Sequence, residues 1–213
     1  MPPVDPMTLE NPLGGLKVIG GRSSLDFVNT VDEHTTFIDD RLNAYADLVW
    51  WALRVGMMDE PAAAPLLAAA EADPARAAEV LSRARDLRES LYRAFVAARA
   101  EKAPEDADLT VLNRELSRAL THLRVRAADG EFAWGWEEGG EMDAVLWPVV
   151  RDAAELLVSG EMRRVGKCCG DNCDWLYLDT SRNRSRRWCD MQSCGNRAKA
   201  RRHYHRAKGG AGA

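Results

Sequence analysis

Residues 168–207 read CCGDNCDWLYLDTSRNRSRRWCDMQSCGNRAKARRHYHRA, and the spacing of the cysteines in this run decides what the carboxy-terminal part of the chain is built around. Cys168-x4-Cys173 and Cys189-x4-Cys194 are two pairs of equal internal spacing, separated by 15 residues. A tetrahedral zinc ion needs four soft or borderline ligands, and two short loops that each deliver two thiolates supply them. Cys169 competes with Cys168 for the first position, and the equal spacing of the pairs favours Cys168. All five cysteines lie in this run, an odd number, which points to a reduced metal site before a disulfide framework.

Around the cysteines the pattern is that of a strand and a helix. DWLYLD alternates, with Trp175 and Tyr177 on one face and Leu176 and Leu178 on the other. The run after Cys194 has a strong helix pattern that begins at the ligand, so a helix N-terminus is expected to aim N–H groups at that sulfur. Gly195 would let the backbone come close to it. Ala200, Tyr204 and Ala207 form one apolar stripe on this helix, expected to pack on Trp175 or Trp188. A module of this size rarely builds a sufficient core unaided, so the metal is expected to be structural. Four thiolates leave it no open position for catalysis.

The charge follows the same division. The 213 residues carry a formal net charge of −4, which taken whole speaks against a nucleic-acid partner. From residue 161 onward, however, there are 13 Lys and Arg against 5 Asp and Glu, a formal +8. Residues 1–160 hold 16 against 28, a formal −12. The cations gather in a loop (Arg182, Arg184, Arg186, Arg187) and on the helix (Arg197, Lys199, Arg201, Arg202, Arg206), with His205 among them. Such a face suits the phosphates of duplex DNA; Arg reads guanine edges, and Asn183 and Asn196 are candidates to read adenine. A basic face for RNA or an acidic protein is the alternative.

Outward from this run, the first 160 residues read as a mostly helical body. Helices are expected from Ser23, over DDRLNAYADLVWWALRVG (39–56), from Pro61 to Ala72, from Pro74 to Lys102, from Asp106 or Asp108 with Leu123 still in register, and from Asp143 to Ser159. FAWGWEEGGEM alternates aromatic residues before a Gly-Gly turn, which predicts a short hairpin or strand from Phe132 to Trp136. The fold class is therefore α+β: a helical body over 1–160 with a short hairpin, a small four-cysteine module over 161–208, and a flexible tail over 209–213. Asp26 and Asn29, at i and i+3 on the first helix, are candidates for an effector pocket with Arg22, Asp39 or Arg41. No apolar run reaches the roughly 18 residues of a membrane span, and the opening residues carry no secretory pattern, so a cytoplasmic protein is expected. Neither a phosphate-binding glycine loop, a serine elbow nor an HExxH run occurs, so no enzyme is expected.

These motifs resemble a known family. The run from 165 to 206 is similar to the CGNR-type zinc finger, named for what stands here as Cys194-Gly195-Asn196-Arg197. LDFVNT at Leu25–Thr30, with the helical segments and FAWGW after it, resembles the ABATE domain that precedes this finger in stress-induced transcription regulators. The resemblance implies a treble-clef-like finger, one structural Zn²⁺ on Cys168, Cys173, Cys189 and Cys194, and bacterial transcription regulation with duplex DNA as partner. The body would then sense a small-molecule effector or form a homodimer.

Overall fold

The computed structural model describes residues 16–37, 39–128, 130–137 and 140–209, with the side chains of 128 and 205–209 outside that description. Helix α1 (Ser23–Val28) is short and almost wholly buried, with Leu25, Phe27 and Val28 at the centre of the core. Helix α2 (Tyr45–Arg54) starts later than its apolar spacing predicts. Asp40 accepts a bond from the Leu42 N–H at 2.9 Å and receives Arg88 twice at 2.7 Å, which holds residues 40–42 in a turn. Asp47 then caps the helix by accepting from the Asn43 and Ala44 N–H groups.

Helices α3 (Glu60–Ala72) and α4 (Pro74–Arg99) each begin with an aspartate cap and an early proline. Asp59 accepts from the Ala62 N–H and Asp73 from the Arg76 N–H, both at 3.0 Å. Along α4, Val80, Leu81, Ala84, Leu87, Leu91 and Phe95 are buried at the spacing that the sequence displays. Helix α5 (Asp106–Leu120) packs on α4, and Arg83 of α4 ties it to the next segment through Glu115 and Asp143.

Two expectations are corrected after α5. Leu123 does not continue that helix; it opens strand β1 (Leu123–Ala128), which pairs antiparallel with β2 (Glu131–Trp136). The hairpin's turn therefore lies before FAWGW, at Gly130, instead of at the Gly-Gly after it; Gly130 takes the positive φ that such turns need. Leucine at a helical spacing is also a residue that fits a strand, so periodicity alone extended α5 too far. A 3₁₀ turn over Met142–Leu146 leads into α6 (Trp147–Val158), with Pro148 in its first turn instead of kinking it.

After α6 come β3 (Val165–Lys167) and β4 (Leu176–Leu178), paired antiparallel, then α7 (Asn196–Gly209). All three residues of β4 are buried, and they are buried against the body. Asn29, which follows α1, clamps Leu176 along one edge of its strand, donating to its carbonyl and accepting from its N–H at 2.8 Å each. The Trp175 indole N–H donates to the Val31 carbonyl at 3.1 Å, and the Leu178 N–H to that of Gly20 at 2.7 Å. The body and the cysteine module thus share one core. Trp175 is committed to it, and Ala200 and Tyr204 of the α7 stripe are exposed.

Candidate metal centre and the basic face around it

The first cysteine loop joins β3 to β4; the second leads into α7. Together they bring the Sγ atoms of Cys168, Cys173, Cys189 and Cys194 within 4.8 Å of one another. Cys173 and Cys189 lie 3.7 Å apart, Cys189 and Cys194 3.6 Å. Zinc bonds of about 2.3 Å in a tetrahedron put sulfurs about 3.8 Å apart, so the four are already spaced for the ion. Cys169 is exposed and outside the cluster; its N–H bonds the Arg187 carbonyl at 2.9 Å.

The electrostatics fit a cation as well. Contact with the Cys173 and Cys189 sulfurs, with N–H groups from Cys189 and Gly170, pulls the Cys168 thiol down. Contact with Cys168 in turn pushes Cys173 up to about 12 and raises Cys189. Four crowded thiols cannot all ionise by themselves, and a divalent ion at their centre lets them. The surrounding donors complete the cage: the N–H groups of Gly170 and Cys189 point at Cys168 Sγ at 3.3 Å, and Arg197 Nη2 at Cys194 Sγ at 3.1 Å. Gly170 leaves room here, since a Cβ would stand 3.0 Å from Cys194 Sγ. The expectation for Gly195 is corrected: a Cβ there would meet Met191, in the wide turn (Met191–Gly195) that separates the ligand from α7. That turn also displaces the helix N-terminus from the role expected of it, and side-chain and loop donors take its place.

The basic residues divide into two groups. Arg186 lies over the Tyr177 ring at 4.2 Å and donates to the carbonyls of Trp188 and Ile19 at 3.1 and 3.2 Å, and to that of Cys189. Arg197 faces a ligand sulfur and Arg201 pairs with Asp171 of the first cysteine loop. These three hold the frame. Arg182, Asn183, Arg184 and Arg187 of the loop, and Asn196, Arg197, Lys199 and Arg202 of α7, are exposed; Arg187 also lies over the Trp188 ring at 5.3 Å, and Asn196 donates to the Gln192 carbonyl at 3.2 Å. His205 and Arg206 have side chains outside the described residues. Asp179, between the two cysteine pairs, shapes the loop by accepting from the Ser181 and Arg186 N–H groups at 2.9 and 3.0 Å. An aspartate two residues before a serine is the turn signal that marks it.

In the body, the structure gives the two candidate pocket residues structural tasks. Asn29 is the clamp on Leu176, and Asp26 accepts from the Ile19 and Gly20 N–H groups at 2.9 and 2.8 Å while burial pushes its carboxyl up. Asp26 borders a cleft with Val18, Arg22, Val55 and Asp152; Arg41 pairs with Asp32 elsewhere.

Fold and site together define a zinc-finger protein in which a four-cysteine metal module is set into a helical body. The comparison with protein families agrees: the ABATE model, described as "Putative stress-induced transcription regulator", matches residues 21–160, and the CGNR zinc finger model matches 164–207. The chain belongs to the ABATE family, with the CGNR finger and its one structural zinc at its carboxy-terminal end. No curated protein matches it. No helix among the described residues is long and apolar enough to cross a membrane.

Proposed function

We propose that the chain is a cytoplasmic transcription regulator that binds duplex DNA through the exposed cations around its zinc site and performs no catalysis. One observation carries this reading. Arg186, Arg197 and Arg201 are spent on holding the metal frame, whereas Arg182, Arg184, Arg187, Lys199 and Arg202 are presented to solvent on it. A rigid set of exposed arginines flanked by Asn183 and Asn196 supplies phosphate contacts and base-edge donors together. Four thiolates and one Zn²⁺ lower the local formal charge by 2 and leave the module strongly cationic. An effector bound to the body would reach this face through the Asn29–Leu176 clamp and the Trp175–Val31 bond. The test is a titration of duplex DNA with the full zinc-loaded chain: saturable binding is expected, and equal binding by a variant with Arg182, Arg184 and Arg187 replaced by alanine would overturn the reading.

A further inference from the structure

The hairpin β1–β2 stands apart from the body. It is attached at its base, where Trp136 meets Trp147 at 5.9 Å, and Arg151 lies over Trp134 at 5.4 Å. Its register places Leu123, Val125, Ala127, Phe132, Trp134 and Trp136 on one face. Toward the tip this face is open: Val125 is 61 % exposed, Phe132 79 % and Trp134 59 %. The surface these three expose is about 400 Å², the size of patch that marks an interaction site.

We propose that the open edge of β2 pairs with β2 of a second copy of this chain, joining the two arms into one four-stranded sheet. The backbone points that way. The Glu137 N–H bonds the His122 carbonyl, so ladder alternation turns the N–H and C=O groups of Glu131, Ala133 and Gly135 inward and those of Phe132 and Trp134 outward. A two-fold axis through Ala133 opposes Phe132 of each copy to Trp134 of the other, as hydrogen-bonded pairs on the same apolar face. The opposite face is complementary in charge. Glu131 of one copy falls opposite Gly135 of the other, and the Arg126 side chain lies across Gly135, where a Cβ would stand 2.6 Å from Arg126 Cδ. From Phe132 to Trp136 the strand itself has no charge, proline or bulge to guard the edge, and at its far end the Trp136 carbonyl accepts from the Arg126 guanidinium, beyond the Phe132–Trp134 stretch that would pair. Isolated two-stranded hairpins are marginal, and the added strands give the arm the support that the body does not. The exposed apolar surface, about 400 Å² a copy, is smaller than the roughly 600 Å² a side at the lower end of stable interfaces, so the pairing is expected to be weak and concentration-dependent.

Sedimentation equilibrium of the full zinc-loaded chain tests this. A mass twice 23.6 kDa is expected at about 100 µM, falling two-fold in Phe132→Glu and, separately, in Trp134→Glu. With Cys169→Ser removing the exposed thiol, Ala133→Cys is expected to form a covalent dimer on mild oxidation, because opposed non-hydrogen-bonded residues lie within disulfide reach. A wild-type mass of 23.6 kDa throughout, a dimer that survives both charged substitutions, or an Ala133→Cys chain that stays uncrosslinked would overturn the proposal.

Discussion

Asn29 shows how much one side chain decides in this molecule. Its amide satisfies both peptide groups of Leu176, which is fully buried and, among the described residues, has no other strand on that side. Removing it leaves a buried N–H and a buried C=O without partners, and each costs about 1–3 kcal/mol. Asn29→Ala is therefore expected to lose about 2–4 kcal/mol in denaturant unfolding; a loss within about 0.5 kcal/mol would show that the clamp is dispensable. Asp40 sets a second local condition. Burial opposes its charge, but the Arg88 guanidinium holds its carboxyl below the usual range, and Arg88 is itself almost wholly buried. A depressed folded-state pKa contributes stability that is present above the unfolded value, about 4, and is lost as pH falls through the folded one. Glu89 and Glu115 are depressed in the same direction. The denaturant midpoint of the wild type is thus expected to drop below about pH 4. Asp40→Asn, already less stable at neutral pH, should lose less on acidification, and parallel pH profiles for the two would contradict the pairing.

The elements were legible to different degrees, and the reasons are physical. Helices α3 and α4 carry aspartate caps and early prolines, and α6 an early proline with an apolar stripe, so their existence can be read from the chain. The start of α2 could not be, because a long-range ion pair between Asp40 and Arg88 overrides local helical spacing. The partner of FAWGW was hidden in LRVRAA, where Leu123 fits a helix and a strand equally. At the metal centre, the spacing of the cysteines carried the site, whereas its hydrogen-bond cage and the strut made by Arg186 depend on folds of the loop that spacing does not encode. The least legible feature was β4, whose apolar alternation gave no sign that it would enter the body's core. That placement has a consequence. Because β4 packs on α1 and is tied to the body through Asn29–Leu176, Trp175–Val31 and Leu178–Gly20, stripping the zinc or replacing Cys189 by Ser is expected to destabilise the body together with the finger, in a single transition. Far-ultraviolet circular dichroism during chelation checks this; full retention of helical signal and of the body's thermal midpoint would mean that the finger is a separate unit.

On the scale of the whole molecule, the charge average of −4 conceals a body of −12 and a module of +8, and the structure adds which of the cations are available. Those nearest the metal are engaged internally, and the exposed ones ride on a frame that zinc and the body's core fix in place. Rigidity of this kind lowers the ordering cost of binding and ties it to metal content. The arm extends the same logic, since two copies joined at β2 would present two such faces in fixed relation. The central claim is that the exposed arginines meet phosphates, and the salt dependence of duplex binding tests it most directly. Affinity of the full zinc-loaded chain, measured from about 50 to 200 mM salt, is expected to fall linearly on logarithmic axes. Replacing Arg182, Arg184 and Arg187 by alanine should make that slope shallower by about 2.7, or 0.9 per lost phosphate contact. Undetectable binding at the lowest salt, or an unchanged slope in the triple variant, would contradict it.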